Sequence, residues 1–152
     1  LFTADIEAKT KFFTNVLGMK VSDSVETFIN FFSASSGSDH HILAFGLSSK
    51  PGFQHAGFEL GSVDEVGLAG RRMLEKGYIH CWGPGRHGPG SNYFHYFRDP
   101  WNSISEYFCD MDYIAADSDW QAQTWLNSDA AAYWGPELPV DFLTNFEALG
   151  SA

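Results

Sequence analysis

The sequence predicts an α+β fold in which two consecutive βαβββ modules form one domain. The first observation is an internal repeat, because L-F-T-A-D-I-E at 1–7 resembles L-G-S-V-D-E-V beginning at Leu60. Each copy leads into a segment with helical spacing of apolar residues. Each helix is followed by aromatic and β-branched runs typical of strands. We therefore predict modules at about 1–48 and 53–114, with a C-terminal tail of helical and extended character at 115–152.

Two helices are predicted from apolar spacing and capping residues. The first runs from 5 to 17, with Thr3 or Asp5 able to cap its start, and the second runs from 62 to 76. The second opens with S-x-x-E, the capping-box pattern in which a serine and a glutamate each accept a backbone N–H. A glycine follows each helix, which is typical of a helix end.

The strands of both modules are predicted from aromatic and β-branched composition. Short runs of this kind, bounded by turn residues, are typical of half-buried strands. The predicted strands are 27–34 and 40–47, joined as a hairpin by 35–38, then 53–60, 78–82, 92–97 and 103–109, with a loop at 83–90. In the tail, a helix is predicted from 117, followed by a proline-containing extended segment.

Composition narrows the classes of function. The chain of 152 residues has a formal net charge of −10 and only 9 Lys and Arg residues, so a basic track for nucleic acid is absent from the sequence. The acidic balance and the lack of a long apolar run also argue against a membrane partner. Cys81 and Cys109 form no CxxC pair, which favours a reducing, cytoplasmic setting, although a structural disulfide between them stays open.

Glu106 is the first candidate for chemistry. It stands in the aromatic strand at 103–109, and an unpaired carboxylate is too costly to desolvate unless it meets a cation, a metal or a proton. His55 lies on the first strand of the same module, which a curled sheet would bring beside the last strand. Two imidazoles and one carboxylate suit a non-haem ferrous site. The alternative from these residues is a hydrogen-bonded core histidine and a salt-bridged glutamate.

Four motifs occur along the chain in one order. They are D-H-H-I-L-A-F at 39–45, F-Q-H-A-G-F-E-L at 53–60, G-P-G-R-H-G at 83–88 and Y-F-R-D-P-W-N-S-I-S-E-Y-F at 96–108. In this order they resemble the catalytic domain of type I extradiol ring-cleaving catechol dioxygenases, in the vicinal oxygen chelate (glyoxalase-like) superfamily. The resemblance covers nearly the whole chain and implies a curled mixed sheet around a metal site.

The resemblance implies a role for five residues. His55 and Glu106 bind the metal, which is Fe(II), with Mn(II) as the alternative. His41 matches the histidine that helps to activate oxygen and to move protons. His87 and Tyr96 match residues that contact the catechol hydroxyls. The implied reaction is extradiol (meta) cleavage of a catechol-type diol by O2, in a protein that assembles as a homo-oligomer at full length.

The family's third metal ligand is a histidine that falls a few residues before Leu1. The internal repeat points to the same place, because the counterpart of His55 lies five residues upstream of Leu1 when Leu1 is aligned with Leu60. We therefore expect this chain to be N-terminally truncated, or to omit residues at its start, and so to lack one ligand, rather than to have a natural two-ligand site.

Two rival functions remain open. One is a glyoxalase-like, metal-dependent lyase or isomerase, which reuses paired modules with other ligands. The other is a metal-free protein that binds a small molecule. The D-H-H motif at 39–41 and the R-H-G motif at 86–88 favour ring cleavage over the first rival. The metal-free binding protein becomes the more favoured alternative if the natural protein begins at Leu1.

Overall fold

The structure is a computed structural model that describes residues 1–126 and 130–150. The chain divides into two compact units. The first unit comprises Leu1–Phe53, Asp112–Ala130 and Asn145–Ala152, and the second comprises Gln54–Met111 and Ala131–Thr144. In chain order the elements are β1 (Phe2–Thr3), α1 (Ile6–Asn15), β2 (Lys20–Val25), β3 (Ile29–Ser33), β4 (Ser38–Asp39), β5 (Leu43–Leu47), β6 (His55–Glu59), α2 (Val63–Glu75), β7 (Ile79–Arg86), β8 (Tyr93–Arg98), β9 (Ile104–Cys109), β10 (Tyr113–Ile114), β11 (Gln123–Trp125) and α3 (Phe146–Leu149).

The two units repeat one topology. The sheet of the first unit has the order β1-β5-β3-β2, with β11 added beyond β2, and the sheet of the second has the order β6-β9-β8-β7. In both units the first strand pairs in parallel with the last strand of its module, and the strands after the helix pair antiparallel. The α+β fold of paired βαβββ modules is confirmed.

Both predicted helices begin at a side-chain cap. The Asp5 carboxylate accepts a hydrogen bond from the Ala8 N–H at 2.9 Å, so Asp5 caps α1. The Ser62 hydroxyl accepts from the Glu65 N–H at 3.2 Å, and the Glu65 carboxylate accepts from the Gly61 N–H at 2.8 Å. The glutamate therefore reaches one residue before the cap, a variation on the expected capping box.

Two predicted segments are wrong in part. β7 continues to Arg86, four residues into the predicted loop, because Gly85 still pairs with Phe94 on β8 and a Cβ at Gly85 would lie 2.7 Å from the Phe94 ring. In the tail, Gln123–Trp125 is a strand rather than a helix, because it pairs in parallel with β2. The remainder of that predicted helix includes residues 127–129, which lie outside the described residues.

Each unit has its own aromatic packing. In the first unit the Phe13 ring of α1 lies 5.8 Å from Phe32 and 5.1 Å from Phe45, centroid to centroid. In the second unit one face of the sheet carries α2. The opposite face packs Trp82, Phe94, Tyr96 and Ile104 against Phe142 from the tail. None of the helices in the described ranges 1–126 and 130–150 has the length and apolar character that crossing a membrane requires.

Close packing of α2 on its sheet depends on Gly70. A Cβ at Gly70 would lie 2.5 Å from Nδ1 of His95, a buried residue of β8. Gly67 is on the same helix, and a Cβ there would meet no atom within 4 Å. The helix therefore carries one glycine that packing requires and one that it does not.

We expect Gly70→Ala to lower the free energy of unfolding by about 1–3 kcal/mol, because the methyl group forces α2 away from His95. Gly67→Ala is the matched control, and it should raise stability by about 0.5–1 kcal/mol because alanine costs less backbone entropy in a helix. Urea unfolding measures both values. Equal effects of the two substitutions would contradict the packing described for Gly70.

His95 makes stability depend on pH. Burial, with the His80 ring as the smaller cause, lowers the pKa of His95 from 6.5 to about 4. Between these pH values the unfolded chain binds a proton that the folded chain does not, so stability falls as the pH falls from 6.5 towards 4. At about 1.4 kcal/mol for each pKa unit, the shift from 6.5 to about 4 makes the loss from His95 on the order of 3–4 kcal/mol.

Thermal unfolding between pH 7 and 4 tests this loss. We expect His95→Leu to show a shallower decline in melting temperature than the unsubstituted protein. His80→Gln should make the decline only slightly shallower, since the His80 ring is the smaller cause of the lowered pKa and burial is the larger. If His95→Leu and the unsubstituted protein decline in parallel, His95 is not the group responsible.

Candidate active site

The register of three strands brings Glu106 beside His55 and Tyr96. Glu106 on β9 pairs with Tyr96 on β8 and with Gly57 on β6. His55 is two residues before Gly57, so its side chain emerges on the same face of the sheet. A Cβ at Gly57 would lie 3.3 Å from Oε2 of Glu106 and 3.1 Å from the Phe108 ring. The glycine therefore leaves room for the carboxylate.

The Glu106 carboxylate is buried and has a nitrogen partner near each oxygen. Oε2 lies 3.5 Å from Nε2 of His55. Oε1 accepts a hydrogen bond from Nδ2 of Asn92 at 3.1 Å and lies 3.7 Å from Nε2 of His87. Burial by itself would raise the pKa of Glu106, but His55 and His87 outweigh it and hold the pKa well below its usual range. The group is therefore ionised at neutral pH.

Gln54 fixes the orientation of the His55 ring. The Gln54 amide nitrogen donates to the Phe142 carbonyl at 2.8 Å, which turns its oxygen towards Nδ1 of His55. An amide oxygen only accepts, so the proton of a neutral His55 ring lies on Nδ1 and a lone pair on Nε2 faces the Glu106 carboxylate. Two lone pairs directed at each other repel unless a cation or a proton lies between them.

These donors fit a metal ion. A neutral imidazole nitrogen and a carboxylate oxygen are ligands that iron and manganese accept, and a second residue that orients the ligating ring is usual at such sites. Among the described residues no group of three or more His, Cys, Asp and Glu side chains is arranged to hold a metal. His55 and Glu106 are therefore two candidate ligands that the structure places side by side.

His87 and Tyr96 form a hydrogen-bonded pair beside the carboxylate. Nδ1 of His87 lies 2.7 Å from the Ala131 carbonyl, which only accepts, so Nδ1 carries the proton of the neutral ring. Nε2 then accepts from the Tyr96 hydroxyl at 2.9 Å. Burial, followed by the charge of Glu106, raises the pKa of Tyr96 well above its usual range, so this hydroxyl keeps its proton.

The structure brings together four of the five predicted site residues. His55, His87 and Tyr96 lie around the Glu106 carboxylate in the second unit. The fifth, His41, lies in the first unit, with Nδ1 of its ring 2.9 Å from Nδ1 of His40 and its centroid 4.8 Å from that of Phe31.

Two contributing residues escaped the sequence analysis. Gln54 directly precedes His55 in F-Q-H. A side-chain amide next to a candidate ligand histidine can orient the imidazole ring, so the sequence did carry a signal for this residue. Asn92 follows a glycine-rich loop, and loop asparagines are common enough that nothing in the sequence distinguished this one. Its contact with Glu106 depends on the antiparallel pairing of β8 and β9.

The chain resembles curated and solved proteins over almost its whole length. It is 43% identical over 148 residues to metapyrocatechase 2 of Cupriavidus necator, covering 97% of this chain and 46% of that protein. It is 28% identical to an iron-dependent extradiol dioxygenase of Rhodococcus jostii strain RHA1, covering 92% of this chain and 50% of that protein. The chain thus spans about half the length of the curated relatives that it matches.

A solved structure has the same fold. The crystal structure of 2,2',3-trihydroxybiphenyl 1,2-dioxygenase from Sphingomonas wittichii RW1 superposes with a TM-score of 0.80 at 27% identity, over 91% of this chain and 49% of that chain. Residues 1–107, which include both βαβββ modules up to β9, match the family model described as the Glyoxalase/Bleomycin resistance protein/Dioxygenase superfamily. With the repeated modules and the shared strand order already seen, this match shows that the chain belongs to that superfamily.

Proposed function

We propose that the natural protein containing this chain cleaves the ring of a catechol-type diol beside the hydroxyl groups, using O2 at a non-haem Fe(II) site. The observation that carries the proposal is the buried, ionised Glu106 carboxylate facing the lone pair of His55, with the His87–Tyr96 pair beside it. Relatives named as a metapyrocatechase, an iron-dependent extradiol dioxygenase and a trihydroxybiphenyl dioxygenase support the assignment.

His55 and Glu106 are the proposed metal ligands in this chain, with Fe(II) as the metal and Mn(II) as the alternative. A third ligand, a histidine, is expected from the remainder of the natural protein. A bound divalent metal would make a coordinated hydroxyl more acidic and withdraw charge from the ring. Gln54 holds His55 so that Nε2 is available, and Asn92 holds one oxygen of Glu106.

The His87–Tyr96 pair is proposed to bind and orient the substrate hydroxyls. Tyr96 keeps its proton and so acts as a hydrogen-bond donor, whereas Nε2 of His87 acts as an acceptor. The Tyr96 ring is 5.5 Å from Trp82 and 5.0 Å from Phe142, centroid to centroid. These apolar rings exclude water around the polar pair, which strengthens its hydrogen bonds.

His41 is the proposed proton-transfer residue, on the strength of the D-H-H motif at 39–41. A histidine suits that role because its ordinary pKa lies close to neutral pH. The catalytic residues then all belong to the domain predicted at 1–114, with residues 115–152 as its tail.

The setting of the protein is part of the proposal. Cys81 and Cys109 are both free thiols, which supports a reducing, cytoplasmic compartment. Assembly as a homo-oligomer is proposed from the family resemblance.

Ring cleavage is tested by supplying catechol and air to the iron-loaded natural protein and following oxygen uptake and the yellow ring-fission product. We expect one O2 consumed for each catechol opened. Glu106→Gln should lower the rate by at least about 100-fold, because removing a residue that merely orients a ligand already costs about 10- to 100-fold. Glu59→Gln, at an exposed position of the adjacent strand β6, should leave the rate unchanged.

Failure to consume oxygen with a panel of monocyclic and biphenyl-type catechols would overturn ring cleavage. Full activity of Glu106→Gln would instead overturn the proposed site. Circular dichroism of both variants confirms that each change in rate is measured on folded protein.

A further inference from the structure

A buried histidine and a buried carboxylate lie in contact next to His41 in the first unit. Nε2 of His40 is 3.2 Å from Oδ2 of Asp23, and both side chains are almost completely buried. The Phe31 and Trp120 rings pack against His40, with centroids at 6.1 and 5.3 Å. Asp23 on β2 is the acidic side chain in contact with this ring.

Asp23 is held in the ionised form by several donors. Its Oδ1 accepts from the Gln123 N–H at 2.8 Å, and its Oδ2 accepts from Nε1 of Trp125 at 2.7 Å. Burial would raise the pKa of Asp23, but His40, Gln123 and Trp125 together lower it. The parallel strand β11 supplies two of these partners, so this tail segment completes the environment of the carboxylate.

The proton positions of the two histidines follow from this carboxylate. Nε2 of His40 lies 3.2 Å from the negatively charged Asp23 carboxylate, which favours the proton of the neutral ring on Nε2 and leaves the lone pair on Nδ1. That lone pair faces Nδ1 of His41 at 2.9 Å, a distance that requires one proton between the two nitrogens. The proton therefore belongs to Nδ1 of His41, and Nε2 of His41 carries the lone pair.

We propose that Asp23 and His40 are positioning residues that hold His41 with its proton on Nδ1 and its lone pair on Nε2. The use of this arrangement in catalysis rests on the proposed function. When Nε2 of His41 takes a proton from a substrate hydroxyl, the proton on Nδ1 passes to Nδ1 of His40. His40 then carries both of its N–H protons beside the Asp23 carboxylate. Release of the proton reverses each transfer, so no further reactant is needed.

Nitrogen-15 NMR of the histidine rings tests the proton positions directly. The full natural polypeptide is prepared without added iron, because paramagnetic iron broadens the signals. We expect His41 protonated at Nδ1 and His40 protonated at Nε2. In Asp23→Asn the amide no longer requires an N–H from His40, and the proton of His41 should move to Nε2. Asp39→Asn, which removes the acidic residue that precedes His40 in the sequence, should leave His41 unchanged.

A second variant keeps the test informative if Asp23→Asn folds poorly. His40→Phe retains an aromatic ring against Phe31 and Trp120 but removes the acceptor nitrogen, so His41 should again shift its proton to Nε2. An Nε2-protonated His41 in the unsubstituted protein would overturn the proposal. So would Nδ1 protonation of His41 that persists in both folded variants.

The pH profile of kcat distinguishes a positioning role from a purely structural role, because a purely structural role would leave the profile unchanged. Loss of the Asp23 charge makes His41 take up its proton less readily. The acid limb of the kcat profile in Asp23→Asn should therefore lie about one pH unit lower, with Asp23→Glu returning towards the original profile. Unchanged limbs would overturn the proposal. A protein with the expected proton positions that cleaves no catechol would overturn the proposed function and leave the positions standing.

Discussion

The second unit depends on a single constraint, which is that the carboxylate of Glu106 is charged and removed from water. Such a group destabilises the fold unless its oxygens have partners, and truncating one partner exposes the full cost of the buried charge. Asn92 donates to one oxygen, and His55 and His87 bring ring nitrogens to 3.5 and 3.7 Å from the carboxylate, so three separate segments meet at this group. Because these side chains meet at one carboxylate, the loop between β7 and β8 and the strands β6, β8 and β9 must keep fixed positions relative to one another.

The βαβββ topology makes that convergence a consequence of chain order. In each module the first strand lies in parallel beside the last, so residues far apart in sequence share one face. His55 and Glu106 become neighbours because of this pairing. The first unit uses its sheet in a related way, since Asp23 on β2 meets a histidine that follows β4. Buried acid–histidine contacts thus occur in both units.

Local patterns predicted much of the fold and part of the site. The caps at Asp5 and Ser62 and the isolated carboxylate Glu106 are encoded within a few neighbouring residues, and the internal repeat compares two such short stretches. Strand β11 was predicted as a helix because its structure is decided by pairing with β2, about a hundred residues earlier. Gln54 was missed for the same physical reason: its role depends on a carbonyl supplied by the tail.

We propose that Glu106 and His55 hold a divalent metal. The most direct test is a titration of the natural protein with Mn(II), monitored by electron paramagnetic resonance. The six-line signal of free Mn(II) should disappear until about one ion is bound per polypeptide. Glu106→Gln and His55→Gln should each weaken binding by at least about 100-fold. Glu59→Gln and His80→Gln, which replace an exposed carboxylate and an exposed imidazole elsewhere in the second unit, should have no effect. Unaltered Mn(II) affinity in Glu106→Gln would contradict the account.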